Sequence, residues 1–264
     1  MSAPPRTPAD YSAILAGADL PIIVGGQAVN LWAGIYASQA PALETYAPFI
    51  SKDADIYGTR TLAATLAARS GWVCHFTDDP ASVAVAILVK PAKGNEPALT
   101  IEVLNEVNGL TEADLAMNTI IELAGGARYR TPSPIVLLKA KLYNLVSLAN
   151  LDRPQDIRHV RILMQIVPLY LNELWSEFRA KRSSEDELLA AVRYAGSVVL
   201  APFAGNAARS HNLNLEEIFP LNLQKDGPQT VRLSIEEIRR QVSVPLEKKP
   251  AVHPPEKPSS IHCP

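Results

Sequence analysis

"FISKDADIYG", residues 49–58, sets two aspartates, Asp53 and Asp55, one residue apart in an otherwise apolar setting. The run reads as a short strand, and on a strand residues i and i+2 share a face. Asp53 and Asp55 are therefore expected to project together while Ala54 and Ile56 turn toward a core. Two carboxylates this close do not both ionise comfortably unless a cation lies between them. Mg²⁺ suits that pair, because it takes one or two carboxylates plus substrate phosphates and keeps waters elsewhere. A third acid comes from "LTIEVLNEV" (99–107), where Glu102 interrupts an apolar strand between Ile101 and Val103. The plainer alternative is a set of solvated acids at strand ends.

Working outward, "PIIV" (21–24) runs into Gly25-Gly26 and then into "QAVNLWAGIY" (27–36), which has helical spacing. A strand that ends in two glycines and continues as a helix leaves amides free at the helix N-terminus, which attracts phosphate. "ADYSAILAGA" (9–18) reads as an opening helix with Asp10 as its N-cap. "TRTLAATLAARSG" (59–71) is an Ala-rich helix stopped by Gly71. "WVCHF", "SVAVAILV" and "ALTIEVL" are strands separated by the turn-rich "TDDPA" and "KPAKGNEP". The pattern predicts an α/β domain over residues 1–130, with a sheet of about four or five strands.

After "GGARYR" (125–130) the composition changes. "SPIVLLKAKLYNLVSLAN", "RPQDIRHVRILMQIVPLYLNELWSEFRAKR" and "SEDELLAAVRYAGSVVLAPFAG" carry apolar residues at three-to-four spacing. They predict an all-helical domain over 131–243, with Pro168 ending or kinking the second helix. The stretch 244–264 is Pro-rich and charged and reads as a disordered tail.

The 264 residues are 47% hydrophobic and 20% charged with a formal net charge of −2, an ordinary globular balance without a global pull toward nucleic acid or membrane. "MSAPPRTPAD" has no apolar core of a secretory signal. No apolar run reaches the roughly 18 residues that span a bilayer. Cys74 and Cys263 read as a core thiol and a tail thiol, which fits a cytoplasmic setting. The five histidines show no ligand spacing, so zinc is not expected. Trp32 and Trp72 read as core aromatics, with stacking on a base as the alternative for Trp32. Arg153, Arg158, His159, Arg161, Arg179, Lys181 and Arg182 mix with Asp152, Asp156, Glu173 and Glu177. They form either a solvated mixed-charge face or a shallow phosphate-binding surface for RNA, such as a tRNA end.

"IIVGGQAVNLWA", "SKDADIYG" and "TIEVL" together resemble the signature of the nucleotidyltransferase (DNA polymerase beta-like) superfamily. The nearest resemblance is to its AbiEii-like and minimal nucleotidyltransferase toxin–antitoxin branch. "PIVLLKAKLYNLVSLANLDRPQDIRHV" resembles that branch's helical signature, with Lys141 and Asp156 at the corresponding places. The resemblance covers roughly residues 20 to 165. It implies that Asp53, Asp55 and Glu102 hold one or two Mg²⁺ ions, Glu102 serving either the second ion or as general base. It implies that Gly25 and Gly26 pack against the triphosphate of an NTP, with Ser51 and Lys52 beside it. Lys141 would reach the phosphates, and Asp156 would orient Lys141 or contact base or ribose. The implied reaction is Mg²⁺-dependent transfer of a nucleoside monophosphate from an NTP to a hydroxyl of RNA or protein, with a cognate antitoxin as possible partner. Alternatives are a catalytically silent relative and an aminoglycoside-type nucleotidyltransferase, for which Glu44 and Glu106 are the candidate acids. Three departures stand out: the long Gly26–Asp53 segment, an insertion or a lid; Glu rather than Asp as third acid; and His159 where the branch has a second Asp.

Overall fold

The computed structural model of the protein describes residues 6–15, 20–80, 82–92, 98–123, 126–149, 151 and 153–243. The tail at 244–264, with Cys263, His253 and His262, and Asp152 lie outside them.

The chain opens with a 3-10 helix, Pro8–Tyr11, that continues as α1 (Ser12–Leu15). Its cap is Thr7 rather than Asp10. The Thr7 N–H and Oγ1 donate to Asp10 Oδ2 at 2.7 and 2.9 Å, so Asp10 closes a capping box from the third position.

Seven strands make one mixed sheet: β1 (Ile22–Val24), β2 (Ala54–Tyr57), β3 (Val73–Phe76), β4 (Ala84–Lys90), β5 (Leu99–Leu104), β6 (Asn118–Glu122) and β7 (Arg128–Pro132). Their order is β3-β4-β5-β2-β1-β7-β6. β1 is antiparallel to β2 and parallel to β7, and β2 is parallel to β5. The two strands beyond the four or five expected are β6 and β7. β6 is an edge strand that buries only Ile121, and β7 begins with exposed Arg128, so neither carries a strong apolar signal. β7 also crosses the expected boundary between residues 130 and 131.

The helices are α2 (Gly25–Tyr36), α3 (Arg60–Ser70), α4 (Glu112–Ala116), α5 (Pro134–Ser147), α6 (Pro154–Arg179), α7 (Glu185–Val199), α8 (Pro202–His211), α9 (Leu221–Asp226) and α10 (Gln229–Ser243). Gly71 ends α3 in the left-handed region, φ 70°, as its position predicts. α6 runs unbroken through Pro168. The hydrogen bond lost there is offset by packing on both sides, where Leu163, Ile166, Val167 and Leu171 are fully buried. The third apolar run is two helices, parted at Ala201-Pro202.

Sheet and helices share one core. Tyr36 of α2 donates to Glu173 of α6, Trp32 stacks edge-on to Tyr170 at 5.8 Å, and Trp32 Nε1 donates to the Pro132 carbonyl at 3.0 Å. Trp32 and Trp72 are core residues as expected. No single described helix is long and apolar enough to cross a membrane. α7 and α8 meet that criterion only as a pair bent by 64°, and their apolar residues Leu188, Val192, Ala195, Ala204 and Ala207 are buried in the protein core.

Candidate active site

Register builds the acidic wall. β2 and β5 pair so that Ala54 faces Ile101, Asp55 faces Glu102 and Ile56 faces Val103. The four apolar members are fully buried, so alternation turns Asp55 and Glu102 together to the other side of the sheet. Asp53 follows from the same alternation one residue before β2. Across the sheet, Asp55 pairs with Val24, the last residue of β1. That puts the start of α2 against the carboxylate: a Cβ on Gly25 would lie 2.0 Å from Asp55 Oδ2, and Gly25 has φ +65°. Only glycine fits this turn.

Asp53, Asp55, Glu102, Gly25, Ser51, Lys52 and Lys141 all line one cavity of about 710 Å³. Its helical wall is Lys141, Asn144, Arg153, Gln155 and His159, and its apolar floor includes Val83, Leu104, Val107, Leu110, Leu137 and Leu148. Two expected residues stand behind the wall. Gly26 is buried against His159 and Ser51, whose Cε1 and Oγ each lie 3.1 Å from where its Cβ would be. Asp156 is buried behind Lys141 and borders a neighbouring cavity.

Burial and neighbouring acids disturb Asp55 and Glu102. Burial, then the charges of Asp53 and Glu102, push the Asp55 carboxyl up to about 7, and Lys141 and Arg153 offset this only in part. Burial and then Asp53 raise Glu102 as well. Such values belong to the cluster rather than to one residue. Three hard oxygen donors that crowd each other in this way match a divalent cation. Among the described residues, however, no group of three or more His, Cys, Asp or Glu is set closely enough to hold an ion as it stands. The donor chemistry fits, and the geometry requires the side chains to draw in.

The helical wall is internally matched. Lys141 Nζ donates to Asp156 Oδ1 at 2.9 Å, with both side chains buried. Arg153 Nε lies 3.0 Å from Asp156 Oδ2, a charge contact without hydrogen-bond alignment, since that oxygen has no hydrogen-bond partner. His159, 4% exposed, is held uncharged by burial and then by Lys141, Arg158 and Arg153, its value lowered to about 2.

The chain start buttresses the loop before Asp53. Arg6 and Ser51 exchange backbone hydrogen bonds at 2.6 and 2.9 Å, and buried Tyr11 donates to the Lys52 carbonyl at 3.4 Å. The segment between Gly26 and Asp53 is pinned. A 3-10 helix, Pro41–Tyr46, buries Leu43 completely, and the Arg158 guanidinium donates to the carbonyls of Tyr46 and Pro48. It is fastened to α6. Two of the other basic residues are also engaged: Arg182 with Glu177 at 2.5 Å, and Arg179 over the Trp175 ring at 5.4 Å. Cys74 is only partly buried, on edge strand β3, rather than a core thiol. Of the two acids considered for a cationic acceptor, Glu106 lines the cavity and Glu44 is not among its lining residues.

Sequence reasoning passed over Asn144, Gln155 and the apolar floor. A signal existed: Leu137, Lys141 and Asn144 on α5 and Leu148 at its C-cap recur at three-to-four spacing, a stripe that mixes polar and apolar groups.

Fold and site define a mixed α/β protein whose seven-stranded sheet presents three acids to a cavity closed by helices. No family model matches the chain, and no curated protein matches it.

Proposed function

We propose that the protein is a Mg²⁺-dependent nucleotidyltransferase of the AbiEii-like kind, moving a nucleoside monophosphate from an NTP to a hydroxyl of RNA or protein with release of pyrophosphate. The observation that carries this reading is the register pair Asp55–Glu102, set with Asp53 against a glycine turn that opens a helix. The fold class and the order of motifs support it.

Asp53, Asp55 and Glu102 are the metal and catalytic residues. The chemistry Mg²⁺ supplies when held by them is neutralisation of charge on the phosphate oxygens of an in-line displacement. The chain itself does the rest by position. Gly25, with Gly26 behind it, lets a triphosphate approach the first turn of α2, whose cap residue Val24 gives no side-chain hydrogen bond to compete. Ser51 and Lys52 flank that approach, and Lys141, oriented by Asp156, adds a fixed positive charge from the opposite wall. Glu102, with its raised carboxyl, is placed to accept the proton of the attacking hydroxyl. A cytoplasmic defence or toxin–antitoxin role with a protein antitoxin accompanies this reading.

A second reading rests on Glu106, which adds a fourth acid to the cavity and favours a small cationic acceptor of the aminoglycoside type. One experiment orders the possibilities. Each radiolabelled NTP is incubated with Mg²⁺ and RNA, candidate proteins or aminoglycosides, beside Asp53→Ala/Asp55→Ala. Label transfer lost in the variant is the expected result, and its acceptor chooses between the readings. No transfer to any acceptor would leave the catalytically silent relative.

A further inference from the structure

His159 is a buried polar side chain that the site has not yet used. It is 96% enclosed, it lines the cavity, and its Nδ1 is buried without a hydrogen-bond partner. Its other edge faces the start of α2, where Cε1 and Nε2 lie 3.1 and 3.6 Å from the point a Gly26 Cβ would occupy. A neutral imidazole carries one proton on either nitrogen, and the surroundings choose which. An orphaned N–H is the worse of the two burials. Nδ1 is therefore the bare nitrogen, and the proton sits on Nε2. That N–H is turned toward the same turn whose own amides lack a side-chain cap. Two features thus meet at one place, an uncapped twelve-residue helix and a buried imidazole that makes no hydrogen bond among the described residues.

We infer that His159, as the Nε2–H tautomer, is a ligand-binding residue that donates to a phosphate oxygen of the nucleotide at the first turn of α2. The inference rests on the nucleotidyltransferase reading and extends it. The chain uses an uncharged donor at a place where a carboxylate would repel the phosphate, and so holds the triphosphate from the helical wall as well as from the sheet. Glutamine places an amide nitrogen near where Nε2 stands, whereas asparagine places one near Nδ1, so the two substitutions separate the tautomers.

The test is calorimetric titration of wild type, His159→Gln, His159→Asn and His159→Phe with inorganic triphosphate and with each NTP, all in the presence of Mg²⁺. Thermal melts establish folding, and if His159→Phe fails to fold, the Gln–Asn pair decides. Wild type and His159→Gln should bind both kinds of probe alike. His159→Asn and His159→Phe should bind about 10- to 100-fold more weakly, the range for a hydrogen bond to a charged group. Equal binding by His159→Phe, or His159→Asn binding better than His159→Gln, overturns the inference while leaving the transferase reading intact. A loss seen with NTPs but not with inorganic triphosphate overturns the phosphate assignment. If wild type binds neither probe, the transferase reading itself fails and takes the inference with it.

Discussion

The two walls of the cavity solve opposite electrostatic problems. On the sheet side, burial and neighbouring acids raise the proton affinity of Asp55 and Glu102, and Lys141 and Arg153 offset this at Asp55 only in part. On the helical side, Lys141 and Asp156 meet at 2.9 Å and pair their opposite charges in the interior. A buried pair of the second kind is a finished structural element, whereas a cluster of the first kind stays unsatisfied until something positive arrives. The contrast locates chemistry on β2 and β5, and gives α5 and α6 the work of holding charge in place.

That contrast can be broken from either side. The largest effect is expected on the sheet: Asp53→Ala should lower label transfer about a thousandfold, since the stabilisation lost is several kcal/mol, with the melting temperature little changed. Retained transfer would remove the acids from the mechanism. On the helical wall, Asp156→Ala strands Lys141 and should destabilise the fold by about 3–5 kcal/mol in chemical denaturation. The double change Lys141→Met/Asp156→Leu should recover most of that. If the single and double variants are equally unstable, the pair is not what the wall depends on.

Next in size is a pH effect. The folded Asp55 carboxyl holds its proton to about 7, against an ordinary 3.8. Between those values the folded state binds more protons than the unfolded one, so the stability of the metal-free protein falls as pH rises through that window. Asp55→Asn should flatten this slope and make the metal-free protein about 1–3 kcal/mol more stable above neutrality, an order-of-magnitude figure. A slope unchanged in the variant would assign the titration to another group. The smallest expected effect is at the strap: Arg158→Ala should cost about 1 kcal/mol and loosen residues 41–48 in hydrogen exchange. Unchanged exchange there would mean that Leu43 alone fastens the segment.

How much of this could be read from sequence follows the strength of local signals. The alternation of "DADIY" and "TIEVL" fixed which side chains share a face, because a period of two leaves no freedom. The interstrand register that sets Asp55 beside Glu102 depends on a pairing between distant segments, so it became visible only in the fold. β6 and β7 escaped notice because edge position and charged residues blur a strand's pattern. Pro168 misled because a local rule met a helix with enough buried surface to override it. From sequence, His159 is only a departure from the helical signature that the chain resembles. Its burial and unpartnered Nδ1 depend on α6 lying against α2, which no spacing encodes.

The most direct test of the central claim is to count divalent ions. Calorimetry with Mn²⁺ at neutral pH should find binding to wild type accompanied by proton release, because the ion displaces the proton that Asp55 holds. Asp53→Asn/Asp55→Asn should show neither the binding nor the release. Equal Mn²⁺ uptake by that variant, or none by the wild type, would contradict the account.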